Sequence, residues 1–395
     1  MVLAPAMPPF PEAAPAEPSF DRLVADLDSL FQQGVGEELD ESAFNGWALR
    51  VFRWQFEHNT AFRGYCLGRG ATPATVTSWE DVPAVPTGAF KRLRLLSAGE
   101  GREPDAVFHT SGTSRTEQRG EHFVASLRLY RSALLPAFRI HLLPDGALLP
   151  VLALVPSPQD APRSSLSYMI GTVSEAFGAE GGGWFAAADG ALKTEGLLRA
   201  IEEAVDTGAP VLIAATAFAL AHWLDGLTRD GLRFALPEGS RVMETGGFKG
   251  RVRGVSRDDL YHGIVTRLGI PMNRVVNEYG MTEMLSQFYE PVLHRFQDSD
   301  TGLGDRLHVG PPWVRTRVLD PESLERVPDG EPGILCHHDL ANLGSVACLL
   351  TEDMGVAVAD GFRLLGRFPG AEPRGCSLAI EELLDAAQAR GAKAR

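Results

Sequence analysis

The stretch from Val107 to Gly120, VFHTSGTSRTEQRG, decides how the rest of this chain is interpreted. Its centre, TSGTS at residues 110–114, places four hydroxyl groups and one glycine within five residues. A glycine lets backbone N–H groups approach an anion closely, and hydroxyls on a short turn can donate to its oxygens. The stretch therefore suits phosphate oxygens, although a polar surface turn has the same composition. It lacks the G-x-x-x-x-G-K-[ST] spacing of the P-loop nucleotide hydrolases.

The composition narrows the class of protein. The chain has 395 residues, 44% of them hydrophobic and 22% charged, as in ordinary globular proteins. Its net charge of −14 argues against a nucleic-acid partner, because phosphate backbones are bound by basic surfaces. No window approaches the roughly 18 consecutive apolar residues of a membrane span. Residues 1–18 are rich in alanine and proline and are expected to form a disordered leader rather than a signal peptide.

The four cysteines are far apart and include no C-x-x-C pair, so neither a zinc site nor a disulfide framework is expected. Free thiols in a cytoplasmic chain are the simplest interpretation. Cys66, Cys336 and Cys348 lie in apolar or strand-like contexts and are expected in the core. Cys376 is the remaining cysteine and the candidate for a reactive thiol.

Helical and strand-like periodicities alternate along the first three quarters of the chain, which predicts a largely parallel α/β sheet. The expected helices are Phe20–Gln33, Glu41–Gly64, Glu121–Leu142, Thr194–Thr207, Ala217–Arg229, Asp258–Leu268 and, near the end, Leu378–Ala389. The expected strands are 148–156, Val211–Thr216, 241–249 and 274–280. Glycine-bearing loops near Gly112, Gly246 and Gly280 follow strands, where such sheets bind their ligands.

From about Pro291 the sequence pattern changes to one typical of turns and short strands, which indicates a smaller β-rich part at about 291–365. The expected strands there are Val314–Leu319, Gly333–His337 and Ser345–Leu350. His337 and His338 have no third metal ligand at a useful spacing, so they are interpreted as strand residues.

Five motifs in a fixed order give the chain a family resemblance. They are TSGTS at 110–114, TGG at 245–247, EYGMTE at 278–283, TED at 351–353 and GR at 366–367. This order resembles the adenylate-forming enzymes, which include acyl-CoA synthetases, luciferases and nonribosomal adenylation domains. The chain is most similar to the acyl-protein synthetases, the fatty-acid-activating component of bacterial luminescence reductase complexes. The narrowing motifs are PTGAFK at 86–91, TGGFK at 245–249 and GRFPGAEPRGCS at 366–377.

The resemblance implies an α/β fold with a large adenylating domain at 19–365, built from two sheet-bearing subdomains and the small β-rich subdomain. The family's mobile C-terminal domain would be truncated to a short tail at 366–395. Lys393 is then part of that tail rather than the catalytic lysine of the missing domain.

The resemblance also implies which residues contact the phosphates of ATP and the Mg²⁺ bound to them. Thr282 would hold the α-phosphate, and Glu283 would coordinate Mg²⁺, a cation suited to carboxylate and phosphate oxygens. A solvated carboxylate at a helix start is the alternative for Glu283. The usual loop continues into glycine and lysine, whereas here Arg115 or Arg119 would supply the cation. The loop residues that would hold the pyrophosphate end are Ser111, Gly112, Thr113 and Ser114.

The adenosine half would contact other residues. Tyr279 would lie along the adenine, and Asp353 would accept hydrogen bonds from both ribose hydroxyls. Asp353 stands in T-E-D rather than the common T-G-D, and a turn residue before a glycine is its alternative. Arg367 would approach the ribose and a phosphate. The glycines that would permit close approach are Gly246, Gly247 and Gly280.

In acyl-protein synthetases the acyl group passes to a cysteine near the C-terminus and then to a partner reductase, and Cys376 stands at that place. A neighbouring cation and a helix N-terminus both lower the pKa of a thiol, and Cys376 follows Arg374 at the start of the last expected helix. A buried structural cysteine is the alternative. His109 could orient the carboxylate substrate or be a packed loop residue, and Lys249 could meet an anion or be a surface lysine.

The leading hypothesis is an acid–thiol ligase that uses ATP and Mg²⁺ to activate a carboxylic acid, expected to be fatty, and transfers it to a protein cysteine. Its pocket would involve 214–220 and 281–288. The acceptor would be a protein such as a reductase, or coenzyme A if the enzyme is an acyl- or aryl-CoA ligase similar to phenylacetate-CoA ligases. The non-enzymatic rival is a partner-binding scaffold that has lost catalysis, against which the intact Thr282, Glu283 and Asp353 argue.

Overall fold

In the computed structural model, the described residues are 19–99, 101–110, 119–246, 256–295, 306–368 and 374–389. The helices are α1 (Phe20–Gln32), α2 (Glu41–His58), α3 (Thr60–Gly68), α4 (Leu127–Leu142), α5 (Ser165–Phe177), α6 (Thr194–Thr207), α7 (Ala217–Arg229), α8 (Arg257–Leu268), α9 (Val292–Arg295) and α10 (Arg374–Ala389). The strands are β1 (Val85–Pro86), β2 (Ala106–His109), β3 (Glu121–Val124), β4 (Val151–Leu154), β5 (Gly183–Trp184), β6 (Leu212–Thr216), β7 (Arg241–Thr245), β8 (Val275–Tyr279), β9 (Phe288–Tyr289), β10 (Val314–Leu319), β11 (Pro332–Asp339), β12 (Cys348–Val358) and β13 (Gly361–Arg367).

A six-stranded sheet in the order β5-β4-β6-β7-β8-β9 organises the middle of the chain. Strands β4 to β8 run parallel, and β9 pairs antiparallel with β8 at the edge. Helices connect the successive parallel strands, as crossover connections require. The predicted α/β fold with a largely parallel sheet is confirmed.

Alternate residues of this sheet belong to two hydrophobic cores. On β4, Val151 and Ala153 pack into the core that contains α4 and α5, whereas Leu152 and Leu154 pack into the core of α6, α7 and α8. The same alternation continues on β6, β7 and β8. A parallel strand buried on both faces reads as a continuous apolar run, which explains why these strands could be predicted from the sequence.

The carboxyl ends of β7 and β8 lie side by side, with Thr245 paired to Glu278. Gly246 leaves β7 with φ of +84°, a backbone conformation that favours glycine. At Gly280 an added Cβ would lie 2.4 Å from Glu278 Oε1, so a side chain would collide there. Two of the three glycine loops therefore lie together as expected, while the third, around Gly112, lies outside the described residues.

A second sheet contains β10, β11, β12 and β13 from the β-rich part, together with β1 from the N-terminal region. Strand β1 pairs parallel with β12 through Val85–Leu349 and Pro86–Leu350. The strand expected at Ser345–Leu350 was misplaced, because β12 starts at Cys348 and runs to Val358. Its second half is held by pairing with β13. Asp353 consequently lies within a strand, and its interpretation as a turn residue is wrong.

The helix expected over Glu121–Leu142 is also partly wrong. Residues Glu121–Val124 form β3, which pairs antiparallel with β2, and α4 begins only at Leu127. The apolar pattern of this segment fits a helix, but the chain that follows residues 110–120, here named the hydroxyl loop, forms the second strand of a hairpin with β2. Tertiary pairing overrides the local period here.

The other predicted helices differ from the structure mainly at their ends, whereas α5 (Ser165–Phe177) was not predicted. The expected helix from Glu41 is divided at Asn59, whose side chain accepts a hydrogen bond from Phe62 N and caps α3. The C-terminal helix begins at Arg374 rather than Leu378. Among the described helices, none is both long and apolar enough to cross a membrane. The domain limits of 19–365 and 366–395 stay a prediction.

Candidate active site

The hairpin β2–β3 forms the stem of the hydroxyl loop. Thr110 N donates to Gly120 O and Gly120 N donates to Thr110 Oγ1, both at 2.9 Å. These bonds close a loop whose residues 111–118 lie outside the described part of the chain. The phosphate-binding roles of Ser111, Gly112, Thr113 and Ser114, and that of Arg115, therefore stay predictions. Arg119 is exposed at the stem.

Thr282 lies against this stem, although it is far from it in sequence. The Thr282 hydroxyl donates to the carbonyl of His109 at 3.5 Å. Its own carbonyl accepts a hydrogen bond of 2.7 Å from His122 Nδ1 on β3. Burial lowers the pKa of His122 to about 4, so the ring is a neutral donor. The stem of the loop expected to hold pyrophosphate is thus hydrogen-bonded to the residue expected to hold the α-phosphate.

The start of α5 brings further polar groups to this point, which the sequence analysis missed. Ser165 Oγ lies 3.1 Å from Thr282 Oγ1. The neighbouring Arg163 accepts a hydrogen bond from His109 N through its carbonyl, and its Nη1 donates to His109 Nε2, both at 2.8 Å. Ser164 caps α5 by accepting from Ser167 N. A serine before an apolar helical period is a helix-start signal that could have revealed this segment.

His109 is held between two charged side chains. Besides Arg163, its Nε2 lies 3.3 Å from Glu121 Oε1, the residue opposite it in the hairpin. This arrangement agrees with the interpretation of His109 as a packed loop residue. Lys249, the other residue with an open interpretation, lies outside the described residues, as does Gly247.

Glu283 follows Thr282 in a turn rather than at a helix start, so the helix-start alternative is wrong. Its side chain is half-buried, and its carbonyl accepts a hydrogen bond of 2.8 Å from Asn342 Nδ2. Within the described ranges no three His, Cys, Asp or Glu side chains are grouped to hold a metal ion. A single carboxylate beside the predicted phosphate contact of Thr282 fits Mg²⁺, which takes one or two carboxylates and completes its shell with phosphate oxygens and water.

A second group of predicted residues lies at the end of β8 and on the paired strands β12 and β13. Tyr279 Oη donates to Asp353 Oδ2 at 3.0 Å. Asp353 is directly paired with Arg367 across the two strands, and the Arg367 Nε lies 3.8 Å from Asp353 Oδ1. Arg367 Nη1 also lies 3.3 Å from Glu352 Oε2. Asp353 therefore contacts two residues, Tyr279 and Arg367, that were predicted from other motifs.

The ring of Tyr279 is buried among aromatic neighbours. The centroids of His337 and Phe362 lie 5.7 and 5.4 Å from it, and Phe288 packs at 5.9 Å. Burial raises the pKa of Tyr279 well above its ordinary value, and Asp353 raises it further. The hydroxyl therefore stays protonated and donates to Asp353. The predicted position of Tyr279 along an adenine stays a prediction.

Tyr279 and Thr282 are joined by only two residues, Gly280 and Met281. The turn after β8 consequently links the group around Asp353 to the group around the hydroxyl-loop stem.

The two segments expected to line the acid pocket, 214–220 and 281–288, contain both exposed and buried side chains. Phe218 is 60% exposed, whereas Leu220, Met284 and Leu285 are buried in the hydrophobic cores.

Cys376 occupies the first turn of α10 and is buried, with 1% of its surface exposed. Its Sγ donates to the carbonyl of Thr351, two residues before Asp353, at 3.8 Å. The side chain of Arg374 is outside the described set. Cys66, Cys336 and Cys348 are buried, which confirms that these three cysteines belong to the core. Cys376 therefore contacts β12, the strand that carries Asp353.

Sequence comparison gives a family and named relatives. The family described as acyl-protein synthetase, LuxE, matches residues 16–385. Two relatives carry the name long-chain-fatty-acid–luciferin-component ligase. The relative from Aliivibrio fischeri is 21% identical over 312 residues, 78% of this chain and 77% of its own. The relative from Vibrio harveyi is 21% identical over 393 residues, 91% of this chain and 98% of its own.

Structural comparison finds the same fold in a solved ligase. The crystal structure of 2-hydroxyisobutyryl-CoA ligase in an open conformation, in complex with 2-HIB-AMP and CoA, matches with a TM-score of 0.59 and 18% identity. The match covers 83% of this chain and 69% of that one. The same ligase in its postadenylation state with 2-HIB-AMP gives a TM-score of 0.58 at 17% identity, covering 83% and 68%.

Proposed function

Because this chain belongs to the acyl-protein synthetase (LuxE) family, we propose that it activates a long-chain fatty acid with ATP and transfers the acyl group to its own Cys376. The chain is an acid–thiol ligase with the fold of the adenylate-forming enzymes. The fatty substrate is inferred from the names of its relatives in Aliivibrio fischeri and Vibrio harveyi.

The observation that carries the proposal is the turn from Tyr279 to Thr282. One end of this turn contacts Asp353, and the other contacts the stem of the hydroxyl loop. A nucleotide lying along it would meet a carboxylate suited to ribose hydroxyls and hydroxyl donors suited to phosphate. The first contact joins two separate motifs, and the second joins EYGMTE to His109, the residue just before TSGTS.

In the first half-reaction, the carboxylate of the acid attacks the α-phosphorus of ATP and pyrophosphate leaves with the electrons of the broken bond. The chain supplies position and charge stabilisation for this step. Thr282 would donate its hydroxyl to the α-phosphate, while Asp353 and Arg367 would fix the ribose. Gly246 and Gly280 would keep the backbone close to the nucleotide.

Mg²⁺, when bound, would neutralise developing negative charge on the phosphates. Glu283 would hold it, because this carboxylate follows Thr282 directly and is half-buried in the same turn. The other ligands would be phosphate oxygens and water, in keeping with the single carboxylate at this place.

In the second half-reaction, the Cys376 thiolate attacks the acyl carbon, the acyl–phosphate bond breaks, and AMP leaves. The thiol is buried behind β12 in the present conformation, so acylation requires the first turn of α10 to move out. A partner reductase would then receive the acyl group. The burial of Cys376 favours one second candidate, an acyl-CoA ligase, since a free thiol such as that of coenzyme A would need no such opening.

The deciding experiment uses a Cys376→Ala variant with ATP, MgCl₂ and radiolabelled tetradecanoic acid. We expect acid-dependent exchange of pyrophosphate into ATP at the wild-type rate, together with loss of the hydroxylamine-sensitive label on the protein. The matched control is Cys66→Ala, another buried cysteine, which should keep the label.

Three results would contradict the proposal at different levels. A Cys376→Ala protein that still carries the thioester label removes Cys376 from the pathway. A wild-type protein that forms no label but makes the thioester of coenzyme A establishes the second candidate. Absence of acid-dependent exchange with every acid tested would reject ligase activity for this site.

A further inference from the structure

We propose that Arg163 and Ser165, the residues on either side of the α5 cap Ser164, form a second arm of the triphosphate site, in which Ser165 orients the Thr282 hydroxyl and Arg163 contacts a phosphate group. This inference rests on the proposed function, because it adds residues to the ATP site described there. None of the five family motifs includes this segment. The structure alone brings it to the site.

The first step concerns the direction of one proton. A hydroxyl has one proton to donate and can accept through its oxygen. Thr282 Oγ1 lies 3.1 Å from Ser165 Oγ, and its longer contact is the 3.5 Å bond to the His109 carbonyl. When Ser165 donates to Thr282, the Thr282 proton is free to leave the weak bond to His109 and point at an incoming phosphate oxygen. Ser165 is thus a positioning residue.

The second step concerns charge. Arg163 Nη1 lies beside His109 at the stem of the hydroxyl loop, and the Arg163 side chain is 62% exposed. The only carboxylate paired with it in the described structure is Glu121, at the longer distance of 3.8 Å. Guanidinium groups carry five donors and bind phosphate in bidentate fashion. The remaining donors of Arg163 are therefore available to a phosphate at the loop.

The third step concerns rigidity, because a positioning group must itself be fixed. The carbonyl of Arg163 is bonded to His109 N, and the carbonyl of Ser165 accepts from Tyr130 Oη at 3.3 Å. Ser164 caps α5 between them. The arm is thereby attached to the loop stem on one side and to α4 on the other.

This arm would compensate for a difference between this sequence and the usual loop of the family. The usual loop carries a lysine after its hydroxyls, and this chain has none there. A cation from another element, Arg163, would supply the missing charge in addition to Arg115 or Arg119.

Adjacent serines give a matched test of Ser165. We expect Ser165→Ala to lower kcat for acid-dependent pyrophosphate exchange by about tenfold to a hundredfold, as loss of a group that orients a metal ligand does, with little change in Tm or in KM for the acid. Ser164→Ala should show the reverse, a lowered Tm from the lost cap with unchanged kcat. Ser165→Thr retains the hydroxyl and should restore most of the rate.

Equal kcat for Ser165→Ala and the wild type would overturn the role of Ser165. So would a loss of activity that simply follows Tm in both serine variants, since that pattern indicates structure rather than positioning.

Arg163 is tested by binding, which needs no turnover. Calorimetry with ATP should give a Kd about tenfold weaker for Arg163→Ala, the loss of one charged contact. The control is Arg131→Ala, another surface arginine that pairs with a carboxylate, Glu175, and should leave Kd unchanged. An unchanged Kd in Arg163→Ala would overturn the arginine contact. If the wild-type protein binds ATP but shows no pyrophosphate exchange with any of the acids tested, the proposed function is rejected. The effect of Arg163→Ala on the Kd for ATP still decides whether Arg163 contacts a phosphate.

Discussion

At the scale of single residues, Glu278 shows how a motif residue can have a structural role. It lies in EYGMTE beside Tyr279, yet its side chain is buried and accepts a hydrogen bond from Thr245 Oγ1. Burial, together with the nearby Glu244, raises the pKa of Glu278 to about 7, although the hydrogen bond from Thr245 opposes the shift. The carboxyl is therefore neutral in the folded protein over most of the acidic range.

This shift predicts a pH dependence of stability. Glutamate in the unfolded chain has a pKa near 4.3, so between that pH and about 7 the folded state holds a proton that the unfolded state has lost. The stability that Glu278 contributes is full below about pH 4 and is lost as pH rises to 7. Glu278→Gln cannot ionise, so its stability relative to the wild type should rise by about 3 kcal/mol between pH 5 and pH 8.

Urea unfolding at the two pH values measures this difference. Exposed Glu202 provides the control, and Glu202→Gln should run parallel to the wild type. A Glu278→Gln protein with the same pH dependence as the wild type would show that the carboxyl is not held neutral.

At the scale of elements, α10 is an amphipathic helix that packs against α3. Its buried stripe consists of Cys376, Ala379, Leu383 and Ala387, the spacing of one helix face. The ion pair from Arg69 to Glu382, at 2.6 Å, is exposed and contributes little. Apolar packing around Leu383 therefore holds α10 and with it the thiol of Cys376.

Shortening Leu383 should loosen this helix. Leu→Ala in a buried site costs about 2–5 kcal/mol, and we expect most of this cost to appear as local opening of α10. Labelling by iodoacetamide, read by mass spectrometry at each cysteine, should be at least about tenfold faster at Cys376 in Leu383→Ala. Leu378→Ala, on the exposed face of the same helix, should leave the rate unchanged.

Comparison of the labelling rates of the four cysteines distinguishes local opening of α10 from global unfolding. Faster labelling of Cys336 and Cys348 in parallel would indicate global unfolding, and an unchanged rate at Cys376 would mean that Leu383 does not control access to the thiol.

At the scale of the whole molecule, buried hydrogen bonds join parts that are far apart in sequence. Gln55 on α2 is fully buried. Its Nε2 donates to the carbonyls of Asn342 and Leu343 at 2.9 and 3.2 Å, and its Oε1 accepts from Ala347 N at 3.1 Å. These bonds attach the N-terminal helices to the turn that leads into β12, and so to the strand that carries Asp353.

Gln55→Ala should destabilise the protein by about 3 kcal/mol or more, because three buried backbone groups lose their partner and each costs about 1–3 kcal/mol when left unsatisfied. Chemical denaturation measures the change, with Gln33→Ala at an exposed position as control. A loss no larger than that of the control would show that water or a shift of the backbone satisfies these groups.

The sequence by itself determined the elements whose signal is local. The limits of Thr194–Thr207, Ala217–Arg229 and Val314–Leu319 were predicted as the structure has them, because periodicity and bounding turn residues lie within each segment. It also determined the family and the motif residues, since the order of motifs along the chain is a property of sequence. Tyr279 and Asp353 were both assigned to the adenosine half from two such motifs, whereas their contact is seen only in the structure.

Only the tertiary structure decided which distant segments meet. It placed Glu121–Val124 in a hairpin, added Val85–Pro86 to the sheet of the β-rich part, brought Ser165 to Thr282 and buried Cys376. In each case the partner is remote in sequence, and pairing or packing energy outweighs the local preference of the segment. A local pattern records which face of an element is apolar, but the identity of the surface that covers it is fixed only when the whole chain folds.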